Sequence, residues 1–234
     1  MEKHRLSIVL DAVGTMRNHA GGDVPDLLTA AVACQLGGIS QFVVSYGDDH
    51  AAAQTRDLRL LRQLPHVHLD LQIALMADFA TAAFEFKPEW VTLVAPAFNT
   101  QGRPMDLAAC REPLKKAVQT LHDANVRVCV CIEPSVDQVR VAHRADVDAV
   151  VLCTHGFATH QTSGEWLNAC VDSVRTAHKF GLQVDLGGNL HGDAIVALRE
   201  LAEVRRFRIG RTFWARSLFV GVDRAIADVL KLLP

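Results

Sequence analysis

Asp11, Ser45, Asp70, Gln72, Glu133, Thr154 and His155 each stand at or just after the C-terminal end of a short β-type run. Carboxylates and an imidazole gathered at strand ends are the groups of general acid–base catalysis. Neighbouring charges push their proton affinities apart, so one group can take a proton while another gives one. Asp11, Asp70, Glu133 and His155 are the candidates for that work; the plainer alternative is a set of hydrogen-bonded lumen residues at a decayed site. Leu186-Gly187-Gly188-Asn189 and Ile209-Gly210-Arg211-Thr212 suit a different task. Glycines let backbone N–H groups approach an anion, a helix N-terminus adds a favourable dipole, and arginine can grip a phosphate with two N–H groups. The same glycines also suit ordinary tight strand-to-helix turns.

The elements that must position these residues alternate along the chain. Strand patterns fall at Leu6–Leu10, Gln41–Ser45, Val67–Ile73, Trp90–Val94, Arg127–Ile132, Val147–Leu152, Leu182–Leu186 and Arg206–Ile209. Each precedes an amphipathic helical pattern: Pro25–Leu36, Thr55–Gln63, Met76–Phe86, Asp106–Ala124, Val136–Arg144, Ser163–Phe180, Leu190–Val204 and Thr212–Leu232. Eight β-then-α units in 234 residues with no linker predict a single (β/α)8 TIM barrel over residues 1–234. The third strand then makes sense: Val67, Leu69, Leu71 and Ile73 face the helices, and His66, His68, Asp70 and Gln72 face the lumen. In such barrels the site lies at the C-terminal mouth, and loops after strands seven and eight commonly hold phosphate.

Composition narrows the function classes. Half the residues are hydrophobic and the formal net charge is −2, which leaves no electrostatic footprint for nucleic acid or an anionic membrane. The apolar run near the N-terminus is too short for a signal-peptide core and nothing reaches membrane-span length, so a cytoplasmic protein is expected. The six cysteines lack metal or disulfide-scaffold spacing and read as reduced; Cys153 alone falls at a mouth position. His68 and Asp70, with Glu133 or His155, are the only residues that suggest a metal, and no supporting motif accompanies them; no metal is expected.

Several stretches resemble the pyridoxine 5′-phosphate synthase family. "LSIVLDAVGTMRN" is similar to its opening strand with the Asp and Leu-Arg-Asn that follow, matched by Asp11, Met16, Arg17 and Asn18. "TRDLRLLRQ", "FEFKPEWVTLV", "GLQVDLGGNL" and "RIGRTFWARSLFVGV" resemble four further family segments, and the register holds along nearly the full length. The resemblance implies a barrel with extra helices, a homo-oligomer from dimer to octamer, and no metal or organic cofactor. It implies condensation of 1-deoxy-xylulose 5-phosphate with 3-amino-2-oxopropyl phosphate. Arg17, Ser45, Thr154, Gly187, Gly188, Asn189, Gly210 and Arg211 are the candidate phosphate- and substrate-binding residues.

The departures fall where the chemistry would be. The family's strand-three glutamate falls on Gln72, its strand-seven histidine on Gly188 and its strand-eight histidine on Arg211; Asp70 stands where the family has asparagine. An amide has no proton to exchange near neutrality, so Gln72 cannot be the base that a glutamate is. The expectation is a phosphate-binding barrel with altered condensation, isomerase or lyase chemistry on a sugar- or keto-phosphate. The alternatives are a non-catalytic binding or assembly homologue, and a true synthase with a rearranged site.

Overall fold

A computed structural model describes residues 5–47, 52–75, 78–95, 104–159 and 164–233. Its strands β1 (Leu6–Val9), β2 (Gln41–Ser45), β3 (His68–Ala74), β4 (Trp90–Val94), β5 (Arg127–Ile132), β6 (Ala149–Cys153), β7 (Gln183–Gly187) and β8 (Val204–Ile209) run parallel in chain order. β8 pairs back onto β1, so the sheet closes into the expected (β/α)8 barrel.

Helices follow the strands: α1 (Asp11–Ala20) and α2 (Leu27–Leu36) after β1, α3 (Thr55–Leu61), α4 (Phe79–Phe86), α5 (Arg111–Asp123), α6 (Val136–Arg144), α7 (His155–Thr159) and α8 (Gly164–Lys179) after β6, α9 (Gly192–Leu198), and α10 (Arg211–Val220) and α11 (Val222–Leu230) after β8. Their spacing explains how they dock. In α5, Leu114, Ala117, Val118 and Leu121 recur at helical intervals and are the buried positions. Asp26 caps α2 by accepting the Thr29 N–H at 2.8 Å, so the helix starts at Leu27, two residues later than the Pro25 start expected. The expected final helix, Thr212–Leu232, is two, because Gly221 leaves the helical region at φ 82°.

The third strand behaves as its period of two requires. Leu69, Leu71 and Ile73 are buried in the outer core beneath the helices. On the lumen side, Trp90, Val94, Cys129, Cys131, Ala149, Val151 and Cys153 form a separate buried cluster. Arg127 and Arg205 both lie over the Trp90 ring, with guanidinium carbons 4.2 Å from its centroid.

α1 lies across the mouth and is tightly anchored. A Cβ at Gly14 would sit 2.4 Å from the Ala52 carbonyl oxygen, so only glycine allows this approach. Arg17 is fully buried; it donates to Asp57 Oδ1 at 2.8 Å and to the Ala52 carbonyl at 3.1 Å. This corrects the expectation that Arg17 binds substrate: its guanidinium is spent holding α1 to α3. Among the described residues, no helix is long and apolar enough to cross a membrane.

Candidate active site at the barrel mouth

A cavity of about 490 Å³ opens at the C-terminal end of the barrel, within the usual size of a small-molecule site. Its wall includes Asp11, Thr15 and His19 from α1, Gln72 from β3, Cys131 from β5, Gly188 and Asn189 after β7, and Gly210, Arg211 and Thr212 at the start of α10. Arg208 forms part of its floor.

The strand-seven and strand-eight loops converge on this cavity. Arg211 Nη2 donates to Asn189 Oδ1, and Thr212 Oγ donates to the Leu190 carbonyl at 2.9 Å, which ties the two loops together. No side chain caps α10, and its first intrahelical bond is Trp214 N–H to the Gly210 carbonyl. The N–H groups of its first turn therefore lack helical partners at the end that meets the cavity, an arrangement suited to an anion. Gly210 is held close to β1, where an added Cβ would sit 2.9 Å from Val9 Cβ.

Gly188 has φ +69°, and an added Cβ would lie 2.7 Å from Cys153 Sγ. The sulfur occupies the space a side chain at 188 would need. Gly188→His should therefore destabilise the fold by about 2–4 kcal/mol in urea unfolding, from left-handed backbone strain plus overpacking. Cys153→Ala in the same protein should relieve part of that loss; no relief would show that the sulfur is not the obstacle. Cys153 itself is buried, with its thiol held below the usual range by a hydrogen bond from Cys131 and by the His155 N–H, against the opposing effect of burial.

Asp11 and Gln72 face each other across Ser45. Ser45 N–H donates to Asp11 Oδ1 at 2.8 Å and its hydroxyl to Asp11 Oδ2 at 2.6 Å, while Gln72 Oε1 lies 3.4 Å from the same hydroxyl. Glu133 and His155 stand at the ends of β5 and β6, outside the cavity wall described above. Desolvation raises the Glu133 carboxyl above its ordinary value, and the charge of His155 partly opposes this.

Asp70 is not at the mouth. It lies in the lumen, 4% exposed, with its carboxylate 2.7 Å from Arg208 Nη2 and accepting the Thr92 hydroxyl at 2.7 Å. Arg208 also donates through Nε to Asp185 Oδ2 at 2.7 Å, and Asp185 takes two further bonds from Arg205. Burial alone would raise the Asp185 carboxyl, but Arg208 and Arg205 outweigh it and hold it at about 2. The expectation of Asp70 as a general acid or base is corrected: its oxygens are committed to an ion-pair network beneath the floor. Thr154 is likewise turned inward, donating its hydroxyl to the Gly187 carbonyl at 2.8 Å. The residues considered for a metal do not converge, since His68 is exposed and pairs with Glu89 at 2.8 Å. Among the described residues, no group of three or more His, Cys, Asp or Glu side chains is arranged to hold a metal ion.

His19, exposed on α1, also lines the cavity. Its signal is the spacing Asp11, Thr15, His19, one face of a helix that begins directly after β1.

The family model for the pyridoxal phosphate biosynthesis protein PdxJ matches residues 6–234. The chain belongs to the PdxJ family. It is 32% identical over 235 residues to the pyridoxine 5′-phosphate synthase of Syntrophobacter fumaroxidans, covering 98% of both chains. It is 30% identical to that of Desulfatibacillum aliphaticivorans over 97% of each. Solved structures share the fold at low identity. The Amycolatopsis orientalis BexX/CysO complex matches with TM-score 0.66 and 11% identity, over 98% of this chain and 88% of that one. The Pyrococcus furiosus thiamine phosphate pyrophosphorylase matches with TM-score 0.61 and 13% identity, over 99% and 96%. Gln72 and Gly188, the positions where the sequence resemblance expects the strand-three glutamate and the strand-seven histidine, are here an amide on the cavity wall and a glycine backed by Cys153 Sγ.

Proposed function

We propose that the mouth binds a phosphorylated small molecule and that the protein acts on it by chemistry other than the family's ring closure. The observation that carries the first half is the convergence of Gly188, Asn189, Gly210, Arg211 and Thr212 on one cavity, with the uncapped first turn of α10 at its edge. The phosphate sits there, gripped by Arg211 and by backbone N–H groups. Gln72 and Gly188 support the second half. Ring closure by successive dehydrations needs repeated proton transfers, each contributing about 10²- to 10⁴-fold, and neither residue can carry one.

The second reading is pyridoxine 5′-phosphate synthesis itself. It is favoured by relatives that bear that name and align with 98% of this chain. A non-catalytic binding homologue is distinguished from both by binding without turnover. The ligand class is tested by titrating the protein with dihydroxyacetone phosphate and, separately, with dihydroxyacetone, followed by NMR. The ester is expected to bind at least about tenfold more tightly, and Arg211→Ala to remove most of that preference, as loss of a charged hydrogen bond requires. Equal affinity for the two compounds would contradict the phosphate reading.

A further inference from the structure

We infer that His19 is the proton-transfer residue of the mouth, the base that enolises a bound keto-phosphate. The inference rests on the reading of the mouth as a phosphate-ester site and adds to it a catalytic residue and a reaction.

Among the described residues, the titratable side chains on the cavity wall are Asp11, His19, Cys131, Arg208 and Arg211. Four of them are unsuited to moving a proton near neutrality. Asp11 is committed, since the Ser45 N–H and hydroxyl take both of its oxygens and it makes a further interaction besides. Cys131 is buried, and its hydrogen bond with Cys153, together with desolvation, holds the thiol well above its ordinary value. Arginine keeps its proton at such pH; Arg208 is locked between Asp70 and Asp185, and Arg211 donates to Asn189. His19 is left. It is exposed, and it has no hydrogen-bond or ion-pair partner among the described residues. An imidazole both takes and gives protons in the neutral range.

Its position suits the reach of a small ester. Asp11, Thr15 and His19 share one face of α1, and the rise from the first to the last is about 12 Å. Side chains on a helix lean towards its N-terminus, so the His19 ring covers the turn before its own, about 6–7 Å from the level of Asp11. α10 begins beside that same level: Trp214 Nε1 donates to the Val9 carbonyl at 2.8 Å, and Gly210 is packed against Val9. A phosphate at the first turn of α10 therefore starts near the foot of α1. A three-carbon ester with bonds of about 1.5 Å spans about 6–7 Å, which brings its carbons under the His19 ring.

The step is balanced without any co-reactant. The unprotonated imidazole nitrogen of His19 takes the proton from the carbon next to the carbonyl, and the C–H electron pair becomes the C=C bond. The carbonyl π pair moves onto oxygen, which carries the negative charge while the ring is an imidazolium. Reversal returns a proton from the ring to carbon. In deuterium oxide the imidazolium proton exchanges with solvent first, so deuterium appears at carbon.

The experiment uses the full chain with dihydroxyacetone phosphate in deuterium oxide, following loss of the C–H signal by proton NMR and binding by a parallel titration. Wild type is expected to exchange the carbon-bound proton well above the buffer rate. His19→Gln should slow exchange by about 10²- to 10⁴-fold, the usual contribution of a positioned base, and should still bind the ester, which shows that it folds and that the loss is chemical. His19→Ala should lose as much and regain part of the rate when free imidazole is added, a rescue that a merely structural role would not produce. Binding by wild type without exchange overturns this inference and leaves the phosphate reading standing. Exchange unchanged in His19→Gln, or a loss in His19→Ala that imidazole does not relieve, overturns the role assigned to His19. Absence of binding overturns the phosphate reading and this inference with it.

Discussion

Arg208→Met is expected to lower the unfolding free energy by about 3–5 kcal/mol, because it leaves two carboxylates in the lumen without the cation between them. Arg208 reaches Asp70, Asp185 and Thr92 with separate N–H groups, and the two carboxylates come from opposite sides of the barrel, on β3 and β7. Arg205 remains on Asp185 in the variant, so Asp70 carries the larger share of the damage. The pH dependence has a definite sign. In wild type, Asp185 is held at about 2, below the roughly 3.9 of a free aspartate, so its contribution is present above pH ~4 and is lost as pH falls from about 4 towards 2. In Arg208→Met, carboxyls that lose their cation are protonated more readily in the folded state, and the variant should recover stability relative to wild type as pH is lowered from 7. Urea unfolding at pH 7 and pH 4 reads both effects. Adding Asp70→Asn and Asp185→Asn to Arg208→Met should restore most of the loss at pH 7, since replacing a whole buried ion network by uncharged groups costs far less than breaking it. A loss below 1 kcal/mol in the single variant would show that the network does not hold the lumen together.

The second large effect is on the reaction of the family. A strain that requires pyridoxine because it lacks the synthase should not be rescued by this gene. The reason is local: at the strand-three position the cavity wall carries an amide, and at the strand-seven position a glycine, with Cys153 Sγ in the space a side chain would need. Losing even one proton-transfer group slows such a reaction by about 10²-fold or more, and on the proposed reading Gln72 and Gly188 supply none. Gln72→Glu alone should not restore growth, because it returns a base and leaves Gly188 and Arg211 unchanged. Rescue by the wild-type gene would favour the synthase reading over the one proposed.

What could be read from the sequence follows from which physical signals are local. The β3 alternation places Leu69, Leu71 and Ile73 under the helices and Asp70 and Gln72 on the lumen side, since a period of two is fixed by the pleat; His66 precedes β3 at φ 61° and is exposed, and His68 is exposed and paired with Glu89, so the buried lumen face begins at Asp70. It could not place Asp70 at a particular depth, because depth depends on the partners opposite, and Arg208 and Asp185 lie far along the chain. Arg206–Ile209 is legible as a strand, but a lumen arginine such as Arg208 is legible only when the carboxylates at its level are known. α1 escaped notice because Gly14 interrupts a short polar pattern, and that glycine is there to admit the Ala52 carbonyl. For the same reason Arg17 looked like a ligand contact: a buried ion pair with Asp57 and a phosphate contact ask for the same side chain. The strand-seven and strand-eight loops, by contrast, were placed by fold alone, and they do meet at the cavity.

The claim on which the functional reading stands is that this meeting point holds phosphate. A crystal of the protein soaked with dihydroxyacetone phosphate tests it most directly. Phosphorus density is expected between the Gly188-Asn189 turn and the first turn of α10, within hydrogen-bonding distance of Arg211 and of backbone N–H groups of that turn. Ester bound elsewhere, with no anion at those two loops, would contradict it.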